Sequence, residues 1–377
     1  MRIGLITGEY PPLQGGVGAY TDVLARVFAE RGHQAFIFSE PRAQQQHENI
    51  PLAQHSGWGL STIPAIRQWI ASNDLDIVNL QFQTAAFNMS PMIHFLPHFI
   101  NKPFVTTFHD LRFPYLFPKA GKLRDWIVMH LAKASNGVIV TNYEDYEKVS
   151  YLPCVDVIPI GSNILADRTS EYDRTAWREK AGAAQDDFLL AYFGFINHSK
   201  GVDILLQALA ELNQSTIKLV LIGGRTGTAD PTNATYAASI DTLIENLNLS
   251  DKISWTGFVD DVEVSAYLRA ADTIVLPFRD GASYRRGSLM AAIQHGCAII
   301  TTQPSHEDSP FSDDTMYLVA PDNSTELANA IQSLCKNALL RTQLQAGVTQ
   351  LKQLFDWQSI TEKYETLFER LIGEYSA

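Results

Sequence analysis

The feature that most constrains this 377-residue chain is an alternation that runs through it twice. Short apolar runs of strand length are followed by segments with helical apolar spacing, the pattern of parallel strands buried on both faces by helices. In the first half the runs are Arg2–Thr7, Ala35–Ser39, Asp76–Leu80, Phe104–Thr107, Gly137–Thr141 and Val155–Pro159. A second series starts near Phe188 and continues at Lys218–Ile222, Ile253–Thr256, Thr273–Pro277, Ala298–Thr302 and Met316–Val319. The expected fold is therefore α/β, with two doubly wound domains facing across a cleft. The length suits two cores of ordinary size. The first domain is expected over 1–165 and the second over 166–356, joined by the polar, aperiodic stretch Gly161–Glu171. A final helix over 357–377, with Ile360, Tyr364, Leu367 and Leu371 on one stripe, is expected to cross back onto the first domain.

Composition narrows the function. A net charge of -12 disfavours a nucleic-acid partner, which needs clustered Lys and Arg. The three cysteines, Cys154, Cys297 and Cys335, are far apart and match no zinc or disulfide spacing. No apolar run reaches ~18 residues, and the N-terminus has no leader-like segment. A cytoplasmic protein without a metal centre is the expectation, with any membrane contact peripheral.

In open α/β sheets, ligands gather beyond the C-terminal strand ends, where helix N-termini favour anions. Loops that follow strands are therefore the candidates. Asp74-Leu75-Asp76 precedes its strand and is set aside as a metal motif. The first loop runs Gly8-Glu9-Tyr10-Pro11-Pro12-Leu13-Gln14-Gly15-Gly16-Val17-Gly18. Its glycines admit an anionic ligand, but its paired prolines depart from a dinucleotide fingerprint. The loop after the third run offers the amides of Gln81 and Gln83, and Thr106-Thr107-Phe108-His109-Asp110 ends the fourth with an imidazole and a carboxylate. These residues, with Tyr10, are candidates to hydrogen-bond a sugar or read its hydroxyls.

In the second half, Phe193-Gly194-Phe195-Ile196-Asn197-His198-Ser199-Lys200-Gly201 leads into a helix bearing Leu205, Leu206 and Leu209. A Lys before a helix N-terminus is unfavourable for the helix alone, but it adds to the positive end of the dipole and suits a diphosphate. The densest constellation is Asp280-Gly281-Ala282-Ser283-Tyr284-Arg285-Arg286-Gly287-Ser288, ahead of a helix ending at His295-Gly296. Arg285 and Arg286 offer forked donors to phosphate oxygens, and Asp280 or Ser283 can meet sugar hydroxyls.

Taken together, these residues resemble the family 4 glycosyltransferases, retaining enzymes with two Rossmann-like domains, the GT-B class. The likeness spans the chain: Gly15-Gly16 with Arg31-Gly32-His33, His109-Asp110, Ile158-Pro159-Ile160-Gly161, Lys200-Gly201, Gly257-Phe258-Val259, Ala270-Ala271-Asp272 and Gly296. It implies a nucleotide-diphosphate sugar as co-substrate, no cofactor and no metal. It also implies a carbohydrate or glycolipid acceptor on the first domain. Donor contacts would come from Gly15, Gly16, Gly194, Lys200, Gly223, Phe258, Val259, Gly281, Ala282, Ser283, Arg285, Arg286, Gly287 and Ser288. His109, Lys200, Asp280, Arg285 and Arg286 would carry the chemistry.

Two departures stand out. The Arg that the family places five residues before the Lys is Phe195 here. Of its two Glu separated by seven residues, the second is Ala291; the shorter count puts Ser283 at the first, and Asp280 takes that place only with an insertion. Arg285 or Arg286 is expected to take over from the missing Arg.

Residues 112–133, with Lys119, Lys122, Arg124, Trp126 and Ile127, form a candidate membrane-facing segment, with a core-facing helix as the alternative. Rival readings are a nucleotide-sugar epimerase or phosphorylase of the same architecture, or a non-catalytic sugar-nucleotide binding protein.

Overall fold

The computed structural model describes residues 1–13, 15–111, 122–165, 172–225, 231–306 and 309–376. The chain divides into two compact units, Met1–Asn163 with Asp356–Ala377, and Ile164–Phe355.

Among the described residues of the first unit, seven strands form one parallel sheet. They are β1 (Arg2–Thr7), β2 (Gln34–Ser39), β3 (Leu52–Gln54), β4 (Ile77–Phe82), β5 (Phe104–Phe108), β6 (Gly137–Val140) and β7 (Val155–Val157). Their order is β3-β2-β1-β4-β5-β6-β7. The winding reverses between β1 and β4, which places the loops after those two strands at the switch point where such sheets take ligands. All six residues of β4 are buried, as its unbroken apolar character demands apart from Asn79 and Gln81.

The second unit repeats the plan with β8 (Phe188–Phe193), β9 (Ile217–Ile222), β10 (Ile253–Gly257), β11 (Thr273–Leu276), β12 (Ile299–Thr302) and β13 (Tyr317–Val319). The order β10-β9-β8-β11-β12-β13 reverses between β8 and β11. The Lys200 loop follows β8 and the Arg286 loop follows β11, so the two cationic loops flank one switch point.

The strands expected from the sequence are present, and one was missed. Leu52-Ala53-Gln54 pairs with β2 at the sheet edge, and as a three-residue, partly exposed strand it has no apolar run to betray it.

The last helix, Trp357–Ser376, packs on the Gly16–Glu30 helix of the first unit. Phe368 stacks on Phe28 with centroids 5.9 Å apart. The Arg31 guanidinium grips Glu365 with two bonds of 2.7 Å. The Trp357 indole donates to the Ser162 carbonyl at 2.7 Å. Apolar burial holds this helix, and the Arg31 fork fixes its register.

Candidate functional site: two cationic loops at a switch point

The geometry of the second unit starts at Gly194, the first residue after β8. Its φ is +126°, a conformation that favours glycine, and a Cβ there would collide with Lys200 Nζ. The ammonium therefore lies over bare backbone. Gly201 sits at φ +67°, and a Cβ on it would strike the Pro277 carbonyl, so at this point the β8 and β11 loops meet backbone to backbone.

Lys200 is half-buried, and its ammonium makes no hydrogen bond or ion pair with any described residue. Burial, helped by the positive charge of Arg286, pulls its pKa down to about 8. Arg286 is held from three sides. It pairs with Asp280, donates from Nη1 to Ser199 Oγ at 3.4 Å, and lies over the Phe278 ring at 4.7 Å. It stands directly before the Gly287–Gln294 helix, whose N-terminus carries no side-chain cap. The free N–H groups of that helix, Arg286 and Lys200 make an arrangement suited to an anion.

A residue the sequence reading missed ties the loops together. Arg279 Nη1 and Nη2 fork onto Asp203 at 3.0 and 2.7 Å, Nη1 also reaches the His198 carbonyl at 2.7 Å, and Nε reaches Asp322 at 2.6 Å. Its backbone N–H donates to Ser199 at 2.9 Å. Asp203 accepts from the Tyr236 hydroxyl at 2.6 Å as well. Burial opposes charge on Asp203, yet Arg279 and Tyr236 hold its carboxyl below the ordinary range. An Arg two residues past the Leu276-Pro277 strand end was the available signal.

Other expected donor contacts split into open and closed groups. Gly287 is exposed, and Ser283, Tyr284 and Arg285 are half-buried. Ala282 and Ser288 are buried, and the Ala282 N–H is already given to Thr302 at 3.3 Å. A Cβ on Gly281 would come within 2.6 Å of the Gln303 carbonyl, so this glycine serves packing. The Gly223 N–H bonds Thr256 Oγ1 at 3.1 Å, and its carbonyl accepts from Trp255 at 2.9 Å. Phe258 is 67% exposed, whereas Val259 packs on the core. Phe195, at the place of the expected Arg, is 39% exposed, and Ala291 is fully buried.

In the first unit, the N-terminus of the Gly16–Glu30 helix is already occupied. Glu9 Oε1 accepts from the N–H groups of Val17 at 3.2 Å and Gly18 at 3.4 Å. A Cβ on Gly15 would strike that carboxylate, whereas Gly16 is open. Gly15 thus makes room for Glu9, which supplies the carboxylate at the helix N-terminus where an anionic ligand was expected. Tyr10 is buried and gives its hydroxyl to Asp22 at 2.5 Å, with His47 on the same carboxylate at 3.1 Å. Gln81 is buried, while Gln83 and Asp110 are half-buried.

His109 directly follows β5 at the C-terminal edge and is 8% exposed. Its Nε2 meets Gln81 Oε1 at 2.7 Å, and its ring lies edge-on to Tyr20 at 4.9 Å. Burial drives its pKa down to about 3, so the ring is neutral. In the 112–133 segment, residues 112–121 lie outside the described residues, as do the side chains of Lys122, Leu123 and Arg124. Trp126 is 54% exposed and stacks on His130, whereas Leu131 is core. No described helix is long and apolar enough to cross a membrane.

Comparison with known proteins agrees in both units. The model for "Glycosyl transferases group 1" matches residues 173–350, and that for "Glycosyltransferase Family 4" matches 14–159. The chain belongs to the family 4 glycosyltransferases. It is similar to the phosphatidyl-myo-inositol mannosyltransferase of Mycobacterium leprae, at 22% identity over 98% of this chain and 96% of the relative. It is 25% identical to the D-inositol 3-phosphate glycosyltransferase of Kineococcus radiotolerans over 59% of this chain, and the match spans about half of that relative, 53%. Among solved structures, Anabaena Alr3699/HepE in complex with UDP and glucose superposes with a TM-score of 0.77 at 18% identity, over 98% of this chain and all of that one. The fold of this family 4 member is the two-domain GT-B fold.

Proposed function

We propose that this glycosyltransferase takes a sugar from a nucleoside-diphosphate sugar and transfers it to a hydroxyl of a carbohydrate or glycolipid acceptor, with retention of anomeric configuration. The observation that carries the reading is Lys200, a half-buried ammonium without a partner among the described residues, beside Arg286 and an uncapped helix N-terminus. Two cations and a helix dipole matched to a diphosphate can neutralise the leaving group without a metal. In the step itself the bond from the anomeric carbon to the phosphate oxygen breaks. The acceptor oxygen bonds that carbon on the same face, and the acceptor proton passes to the departing phosphate oxygen. The nucleoside diphosphate leaves.

Relatives carry the names D-inositol 3-phosphate glycosyltransferase and alpha-monoglucosyldiacylglycerol synthase, and a neighbour of the same fold holds UDP and glucose. That makes uridine diphosphate glucose the first donor to test. The exposed Trp126 beside the basic stretch is the proposed peripheral membrane contact, and flotation with anionic vesicles tests it.

The deciding experiment is a thermal-shift screen against uridine, guanosine and adenosine diphosphate sugars, followed by proton NMR of the product made from the stabilising donor. One donor should raise the melting temperature. The product should keep the donor's anomeric configuration, with the rate unchanged in EDTA. An inverted product sinks the retaining mechanism, and loss of activity in EDTA sinks the metal-independent one.

A further inference from the structure

A chain of hydrogen bonds with only one consistent direction ends at His109. It starts at the Val105 carbonyl, which can only accept. Asn79 Nδ2 lies 3.2 Å from that oxygen and 3.0 Å from Thr107 Oγ1, so the nitrogen side of the Asn79 amide must face β5. A flipped amide would set two acceptors against each other in a fully buried site. The Asn79 oxygen is thereby turned to Gln81, whose Nε2 donates to it. Gln81 must then present Oε1 to His109, 2.7 Å from Nε2. His109 Nε2 must carry the proton, and Nδ1 is left with its lone pair.

Nothing described takes up that lone pair, because His109 makes no other side-chain hydrogen bond. Turning the ring over would break the Nε2 bond to Gln81, and Tyr20 packs edge-on beside it at 4.9 Å. The network is anchored at its far end as well. Thr107 Oγ1 lies 3.2 Å from the Tyr364 hydroxyl, which lies 3.2 Å from the Tyr20 hydroxyl. The last helix therefore backs the same residues that orient the imidazole.

We propose that Asn79 and Gln81 are positioning residues that lock His109 as the neutral Nε2–H tautomer, so that Nδ1 is an acceptor-only probe for a hydroxyl of the carbohydrate substrate. The identity of that partner as a carbohydrate rests on the glycosyl-transfer reading; the tautomer does not. A group fixed in this way accepts from a hydroxyl and rejects an ether, a carbonyl or a phosphate oxygen at the same place. It contributes recognition rather than proton transfer, because burial keeps the ring from charging at neutral pH. Asn79 and Gln81 lie on a strand with both faces covered, where apolar residues are the rule, and the directed chain accounts for two amides there.

The test is two-bond proton–nitrogen NMR on the full chain labelled with nitrogen-15 histidine, with His109→Asn used to assign the signal. The free protein at pH 7 should show one neutral state, with a pyrrole-type Nε2 and a pyridine-type Nδ1. In Gln81→Met, and separately in Asn79→Ala, the same ring should populate both tautomers. The proposal is overturned by an Nδ1–H tautomer or an imidazolium in the wild type, a result that needs no variant to fold. It is equally overturned if either folded variant keeps the wild-type tautomer. A packing role alone would leave the nitrogen shifts unmoved. No donor is needed for any of these readouts, so failure here is separate from failure of the transferase reading.

Discussion

Lys200 Nζ stands where a side chain on Gly194 would have to go, and that relationship defines the proposed donor site. The strand β8 ends in a glycine so that an ammonium can lie on its backbone. The cation there has lost water and faces Arg286 without a described carboxylate of its own. Such an arrangement costs stability, which is the mark of a residue kept for a ligand.

Lys200→Met should therefore raise stability at pH 7 by about 1 kcal/mol or more while sharply weakening donor binding. The lowered folded pKa puts the cost on the protein at and below about pH 8, and it is relieved as pH climbs toward the unfolded value near 10.5. Urea melts at pH 7 and pH 10 check this, and a strongly destabilised Lys200→Met would contradict it.

Because the bound diphosphate needs the charged form, donor affinity should fall as pH rises through about 8. Calorimetry between pH 7 and pH 9.5 should show proton uptake on binding in the wild type. Lys200→Met should lose that uptake, and a wild type whose affinity is flat over this range would refute the assignment.

Arg279→Ala tests the brace between the two loops. The bonds to Asp203, His198 and Asp322 go at once and Asp203 is left half-buried without its cation, so a loss of about 2 kcal/mol is expected. Denaturant midpoints check the stability. A donor KM unchanged in the variant would mean that the loops hold their place without the brace.

His109 gives a third pH signature. Its folded pKa of about 3 lies below the unfolded value near 6.5, so the unfolded chain binds the extra proton first and stability falls as pH drops below about 6.5. Between pH 7 and pH 5 the expected loss from this ring is about 2 kcal/mol. His109→Asn should flatten that part of the profile, and an equally steep profile in the variant would count against it.

Much of the fold was legible because parallel strands buried on both faces announce themselves as apolar runs, and the order of runs and helices limits the topology. The edge strand β3 escaped because Leu52-Ala53-Gln54 is short and half exposed. At the site, Lys200, Arg286 and His109 were legible as charged or titratable residues in loops after strands. Arg279 and Asp203 were not, since an Arg–Asp pair separated by 76 residues gives no local pattern. Glu9 was hidden differently. The glycine it needs, Gly15, looks the same in sequence whether the helix N-terminus holds a phosphate or the chain's own carboxylate. Gln81 was expected in a loop as a hydroxyl contact, whereas it lies inside β4, and its bonds with Asn79 and His109 give it a different role.

The central claim, that Lys200 and Arg286 grip the diphosphate of a nucleotide sugar, is tested most directly by calorimetry of UDP, GDP and ADP against the wild type, Lys200→Met and Arg286→Ala. One nucleotide should bind the wild type with a dissociation constant in the micromolar range. Each variant should weaken it by roughly tenfold to a hundredfold, as loss of a charge-assisted contact implies. A wild type that binds none of the three, or variants that bind as tightly as the wild type, would contradict the account.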